Sequence, residues 1–306
     1  MRLLKTTLIL LCLASTGLMA QKEGKQLLEE GQLLKAMESL GRAFMENPND
    51  RENAYTLAKT LALMSEVDTA FYFLNIALQD NNELMPLADF NFYSLSTSPK
   101  WDGVVANQME KYQRVHGRLQ NPEYAKELLA IIMKDQSLDY YVDLAKVEFS
   151  KSGSVPHWFY PLTFLKGQFI TNDNFSRMKT LIQQYGWPTY SMVGDLAADA
   201  PLLVINHHPD DQVRKDYLPM IKKACEDGEG SCLEYAKIQD RVLVNDGLPQ
   251  IYGMQFRYND KRELEPFPIE SPEYVDQRRK AIGLEPLKDY LKRRINYDFT
   301  VRQKEQ

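Results

Sequence analysis

Two short stretches hold the residues best suited to chemistry. The first, VINHHPDDQV at 204–213, sets His207 and His208 beside Asp210 and Asp211. These are the side-chain types of metal ligation and of general acid–base work. His207 and Asp211 share a face only if one helical turn joins them, and Pro209 between them breaks that turn. His116 and His157 are remote in sequence and no HExxH spacing occurs, so the stretch reads as a junction between two helices and no metal site is expected. Asp210 then stands where it can cap the following helix, at the positive end of the helix dipole.

The second stretch is YAKIQDRVLVNDGLPQIYGMQF, at 235–256. Asp240 and Arg241 precede a segment whose strand alternation puts Gln250, Tyr252 and Met254 on one face and Ile251, Gly253 and Gln255 on the other. Arginine offers a bidentate fork and glutamine both a donor and an acceptor, a combination that suits an anionic or amide-bearing ligand. The candidate ligand-binding set is therefore Trp187, His207, Asp240, Arg241, Gln250, Tyr252 and Gln255, taking a small polar ligand. The alternation works against it, because Gln250 and Gln255 face apart unless the strand is bulged. The plainer reading has Arg241 paired with Asp240, Asp246 or a hairpin carboxylate to brace the fold.

No G-x-S-x-G elbow, phosphate-binding loop or dinucleotide loop is present, so no nucleophile motif and no cofactor is implied. A hydrolase with His207 as general base, assisted by Arg241, is the alternative function. The formal net charge is −5, which gives no electrostatic footprint for nucleic acid.

These residues sit in a longer plan. MRLLKTTLILLCLASTGLMAQ opens with Arg2 and Lys5, an apolar run from Leu8 to Leu13 and small residues before Ala20, the pattern of a secretory signal peptide over 1–20. The run is too short to span a bilayer, and Leu11 before Cys12 argues against lipidation. No later stretch is long and apolar enough for a transmembrane segment. The expected compartment is the periplasm or the extracellular space, where Cys225 and Cys232 can persist as a disulfide. About 286 residues remain after cleavage, the length of about two domains.

An internal repeat organises the first part. Ala36, Leu40 and Ala43 recur 34 positions later as Ala70, Leu74 and Ala77, Gly24 and Leu27 match Ala58 and Leu61, and the turn residue Gly31 matches Ser65. This resembles a pair of tetratricopeptide repeats, with small residues where helices cross closely. The register fails at Val104, Gln108 and Lys111, which marks residues 84–118 as an atypical capping unit with Phe90, Phe92 and Trp101 in its core. The division is thus 21–118 for the repeats and 119–306 for a second, mostly helical domain. Asn121 should cap a helix beginning at Pro122. SKSGSVPHWFYP then reads as a loop.

From Asn172 the chain promises a helix ending at Gly186, a buried helix in GDLAADAPLLVINHH, two more helices flanking CEDGEGSC, a β-hairpin at about 249–269 and two closing helices about a glycine turn. The motifs YGWP, VGDLAADAPLLVINHH, YLPMIKKACEDGEG, YAKIQDRVLVNDGLPQIYGMQ and PIESPEYVDQRRKAIGLEPLKDYL together resemble a bacterial domain of unknown function, found in exported proteins and at times behind helical repeats. The resemblance runs from about 121 to 292 and implies no activity. Pro201 departs from the helix-friendly residue expected there, and Asp139 stands where a base is expected.

The sequence therefore specifies a mostly α fold: a short helical-repeat stack, then a helical domain with a small β-hairpin (α+β). Its expected function is binding or scaffolding in the cell envelope, with a protein or peptide partner on the repeats. Mass spectrometry of the protein recovered from the envelope should find a chain beginning at or near Gln21; a full-length chain held in the cytoplasm overturns the export reading.

Overall fold

The structure, a computed structural model, describes residues 17–304. Most of the expected leader, with Cys12, lies outside the described residues. Among the described residues the secondary structure is almost entirely helical, with one two-stranded antiparallel sheet, and no helix is long and apolar enough to cross a membrane. The chain forms two compact units that divide at Asn174 and Phe175.

The first unit begins with α1 (17–29), α2 (Leu33–Glu46), α3 (Arg51–Leu63) and α4 (Val67–Ala77). All six positions related by the 34-residue spacing in α2 and α4 are buried: Ala36, Leu40, Ala43, Ala70, Leu74 and Ala77. The matched turn residues share a conformation as well, Gly31 at φ +77° and Ser65 at φ +63°. Gly24 lets α1 and α2 approach until a Cβ there would lie 2.6 Å from the Leu40 Cγ. Buried Asn53 fastens α3 to α2 by donating to the Leu40 carbonyl at 3.0 Å.

Two 3-10 turns lead into α5 (Lys100–His116). The repeat register fails here for a physical reason. Gln108 donates to the Asn81 and Glu83 carbonyls at 2.9 Å each, and Lys111 donates to the Leu78 carbonyl at 2.5 Å. Polar side chains thus satisfy the carbonyls at and beyond the end of α4, where a repeat would place apolar ones. Phe92 and Trp101 are buried, with ring centroids 6.4 Å apart. Asn121 accepts from the Tyr124 N–H at 3.0 Å to cap α6 (Pro122–Asp135).

After α7 (Asp139–Ser152) the expected loop is shorter than SKSGSVPHWFYP. It gives way to α8 (Phe159–Leu165), which tolerates Pro161 because the proline falls in the first turn, where its missing N–H costs no helical bond. A π-helical stretch, Lys166–Thr171, runs on into α9 (Asn172–Tyr185). Asp139, at the start of α7, pairs with Lys166 at 2.5 Å.

The second unit contains the rest of α9, then α10 (Tyr190–Val193), α11 (Asp195–Ala198), α12 (Ala200–His207), α13 (Asp211–Glu226) and α14 (Cys232–Asn245). The single buried helix expected in GDLAADAPLLVINHH is in fact two. Pro201 lies in the first turn of α12, so the break comes before it and the proline is accommodated. Cys225 and Cys232 form a disulfide, with Cα atoms 4.7 Å apart, that ties the end of α13 to the start of α14.

The hairpin strands are shorter than expected: β1 (Phe256–Tyr258) pairs antiparallel with β2 (Leu264–Pro266), and Gln250 and Ile269 form a separate, parallel bridge. The unit closes with α15 (Val275–Ala281), a turn at Gly283 with φ +74°, and α16 (Leu287–Ile295).

The close crossing at Gly24 predicts opposite signs for two glycine replacements. Gly24→Ala should destabilise by roughly 1–3 kcal/mol through overpacking against Leu40. Gly41→Ala, inside α2 with nothing within 4 Å of its added methyl, should stabilise by roughly 0.5–1 kcal/mol. Urea denaturation of both variants checks the pair; a neutral Gly24→Ala refutes the packed crossing.

Candidate functional site

The residues singled out in the second unit fall into two constructions, each built around a buried side chain. The first centres on Asp240, fully buried on α14. Its Oδ1 accepts from the Ile251 N–H at 2.7 Å and the Tyr252 N–H at 3.0 Å, and its Oδ2 from the Met254 N–H at 2.9 Å. A carboxylate that collects three amides within four residues bends the chain around itself.

Residues 250–255 are accordingly a loop, which corrects the strand alternation expected there. Gln250 and Gln255, assigned by alternation to opposite faces, meet. The Gln255 N–H donates to Gln250 Oε1 at 2.8 Å, and Gln250 Nε2 donates to the Gln255 and Phe267 carbonyls at 3.1 and 2.8 Å. Gln255 Nε2 donates to the Lys237 carbonyl at 3.0 Å. Tyr252 is buried with its ring 6.0 Å from that of Tyr235. The amides expected to meet a ligand are spent on the backbone.

The second construction is the junction after α12. Pro209 separates α12 from α13, so His207 and Asp211 lie on different helices. Asp210 caps α13 by accepting from the Gln212 N–H at 2.9 Å. His207, the histidine expected in the pocket, is exposed, whereas His208 is half-buried with its ring 4.5 Å from that of Phe175. Trp187 belongs to this neighbourhood, its ring 6.1 Å from that of Tyr217, which lies 6.5 Å from Phe175.

Arg241 donates to the Asn206 carbonyl at 3.4 Å, not to Asp240, Asp246 or a hairpin carboxylate. Arg214, nearly fully buried, donates to the Asn206 and His208 carbonyls at 2.7 Å each and pairs with Asp211 at 3.1 Å. Two guanidinium groups thus face the negative end of α12. Burial pushes the Arg241 pKa down, as does the neighbouring Arg214 charge, while Asp211 opposes the shift. Of the seven candidate residues, Asp240, Gln250, Tyr252 and Gln255 are brought together; Arg241 and Trp187 make their contacts at the junction, and His207 ends α12.

Asp199, between α11 and α12, escaped the sequence reading. Burial first, then the charges of Glu234 and Asp195, push its carboxyl up to about 6, against a smaller opposing effect of Lys237. Its Oδ1 finds no hydrogen-bond partner among the described residues. A displaced carboxyl of this kind is a mark of functional sites. Only the fold shows it, since Glu234 and Lys237 lie on α14, far along the chain.

The first unit contains an opening of different character. A cavity of about 740 Å³ is lined by Gly31, Tyr141, Leu144, Val147, Trp158 and Leu162 among others, with Glu30, Glu148 and Lys151 at its polar positions. Gly31, the turn residue of the first helical pair, comes close enough that a Cβ there would lie 3.0 Å from Leu144. Beside this cavity α8 buries none of its residues. Tyr160, Phe164 and Phe169 are 66, 64 and 65% exposed, and Trp158 is 40% exposed.

Residues 122–302 match the model of a family of unknown function (DUF6624). No curated protein and no solved structure matches the chain.

Asp199 yields a pH dependence. Its folded pKa of about 6 lies above the ordinary 3.8, so the folded state holds the proton more tightly. Stability is then highest below about pH 4 and is lost as pH rises through about 6, by roughly 1–2 kcal/mol after allowance for partial exposure. Asp199→Asn should flatten this change, as read from urea midpoints at pH 4 and pH 7; an identical difference between the two pH values in both proteins refutes the assignment.

Proposed function

The chain belongs to DUF6624, a family of unknown function, and from that premise we propose that it is an exported cell-envelope binding or scaffold protein. In this reading the helices related by the 34-residue spacing act as tetratricopeptide-like units, and a protein partner docks beside them. The observation that carries the reading is the apolar surface next to the Gly31 turn: an open cavity floored by Leu144 and Val147, flanked by a helix that leaves Tyr160 and Phe164 in solvent. Aromatic surface of this kind is costly to expose, and contiguous patches of it mark interaction sites.

The occupant that fits is an amphipathic helical segment of a partner, with its apolar face against Leu144, Val147, Trp158 and Leu162. Glu30 and Glu148 at the cavity favour basic residues flanking that face. The π-helical stretch after α8 supports the same location, since such stretches recur at functional sites. The alternative, a hydrolase using His207 and Arg241, draws no support from Arg241, whose guanidinium is directed at the Asn206 carbonyl.

The test uses a synthetic amphipathic peptide of leucine and lysine as probe. The purified protein should bind it, and Trp158→Ala combined with Phe164→Ala should weaken binding by about tenfold. The melting temperature should stay nearly constant, because α8 buries nothing. Equal binding by the double variant and the parent protein sinks the reading.

A further inference from the structure

Lys237 on α14, Arg279 on α15 and Arg293 and Arg294 on α16 line a cavity of about 310 Å³ in the second unit, together with Tyr290 and Glu285. Four cations against one carboxylate is an unusual lining for a chain whose formal net charge is −5. The volume lies at the lower end of the range for small-molecule sites. Nothing in it depends on the partner surface of the first unit.

The partners of these cations show which charges are already engaged. Lys237 pairs with Glu234 at 2.5 Å, and Arg293 pairs with Glu285. Arg294 has no ion pair among the described residues, and it is exposed. Arg279 is fully buried. Its Nε donates to the Glu285 carbonyl at 2.7 Å and its Nη1 to the Tyr252 carbonyl at 2.6 Å. Its Nη2 is buried and has no acceptor among the described residues. The Tyr290 ring holds the group in place, its centroid 4.9 Å from the guanidinium carbon, with the Arg293 guanidinium 5.7 Å away.

A buried donor without a partner bears the full cost of its lost hydration, and Arg279 also lacks a carboxylate within ion-pair distance among the described residues. Here the fork is fixed on two sides and its third nitrogen is unused, on a residue that lines a cavity with three further cations. An oxyanion supplies what that nitrogen lacks, because carboxylate and phosphate oxygens accept charge-assisted bonds from guanidinium groups.

We propose that this cavity binds a small organic anion through its carboxylate or phosphate group, with Arg279 Nη2 as the buried anchor, Arg294 and Lys237 as outer cations, and Tyr290 flanking the bound group. Specificity for the anion comes from the anchor, whose position is set by its bonds to the Glu285 and Tyr252 carbonyls. The outer residues add attraction and are free to vary without disturbing the fold.

The experiment titrates the purified protein with inorganic phosphate and, separately, with succinate, followed by calorimetry at low ionic strength. At least one probe should bind saturably at a single site, and the one that binds identifies the group recognised. Arg294→Ala and Lys237→Gln should each weaken binding by about fivefold to tenfold while leaving the melting temperature unchanged. Arg279→Lys, which keeps the charge and loses the fork, should weaken it further; if that variant fails to fold, the two outer variants still decide. Absence of binding by both probes up to about 10 mM, or binding that ignores Arg294→Ala and Lys237→Gln, overturns the proposal.

Discussion

The second unit depends on one buried carboxylate. Asp240 accepts from three amides of the segment that follows α14, which bends the chain around it. Burial raises its pKa, while the bonds from Met254, Tyr252 and Ile251, with the nearby Arg279 charge, hold it down. Removing the acceptor would strand three buried donors, each at roughly 1–3 kcal/mol. The bend also places Gly253 at φ +77°, so close to α16 that a Cβ would lie 2.5 Å from Leu287 Cδ1. No side chain fits there, and the backbone packs directly on the closing helix. The Tyr252 carbonyl on the same bend receives Arg279. One aspartate therefore links α14, the loop, α15 and α16.

Much of this was legible locally and little of it functionally. Caps, breaks and turns follow from neighbours in sequence, so Asp210 at the start of α13, Asn121 before Pro122 and the glycine turn at Gly283 lie where the residue types require. The residues around Gln250 come together through bonds to the backbone rather than by strand alternation, because strand periodicity says nothing about a carboxylate one element earlier that pulls the chain into a bend. His207 was expected in the pocket and is exposed for a similar reason. His208 is half-buried against Phe175 on another helix, a contact that no spacing within HHPDD reveals.

The first unit shows the converse limit. The 34-residue spacing identified six buried positions and two matched turns because both express helix packing, which repeats when its geometry repeats. It could not foresee that Gln108 and Lys111 would replace apolar contacts with bonds to carbonyls near the end of α4. Nor could it foresee an apolar helix left in solvent. The stretch through Trp158 and Pro161 reads as a loop from its glycine and prolines, and only the fold shows a helix there, α8, that buries none of its residues.

Buried arginines were the least readable feature, and comparing the two most buried ones separates bracing from recognition. Arg214 and Arg279 each keep one guanidinium nitrogen without a partner, Nε in the first and Nη2 in the second. Arg214 is neutralised by Asp211 at 3.1 Å and closes on two carbonyls of a helix end. Its charge is spent, and the remaining donor is the residue of a fork whose other members are satisfied. Arg279 has no carboxylate within ion-pair distance among the described residues, and it borders a cavity that three further cations share. Burial pushes its pKa down, and Tyr290, Asp276, Glu285 and Asp240 oppose the shift, the three carboxylates from beyond ion-pair distance. The donor that Arg279 leaves over, on a residue lining the cavity, is the one the proposed anion would engage, while its charge also faces the buried Asp240 carboxylate.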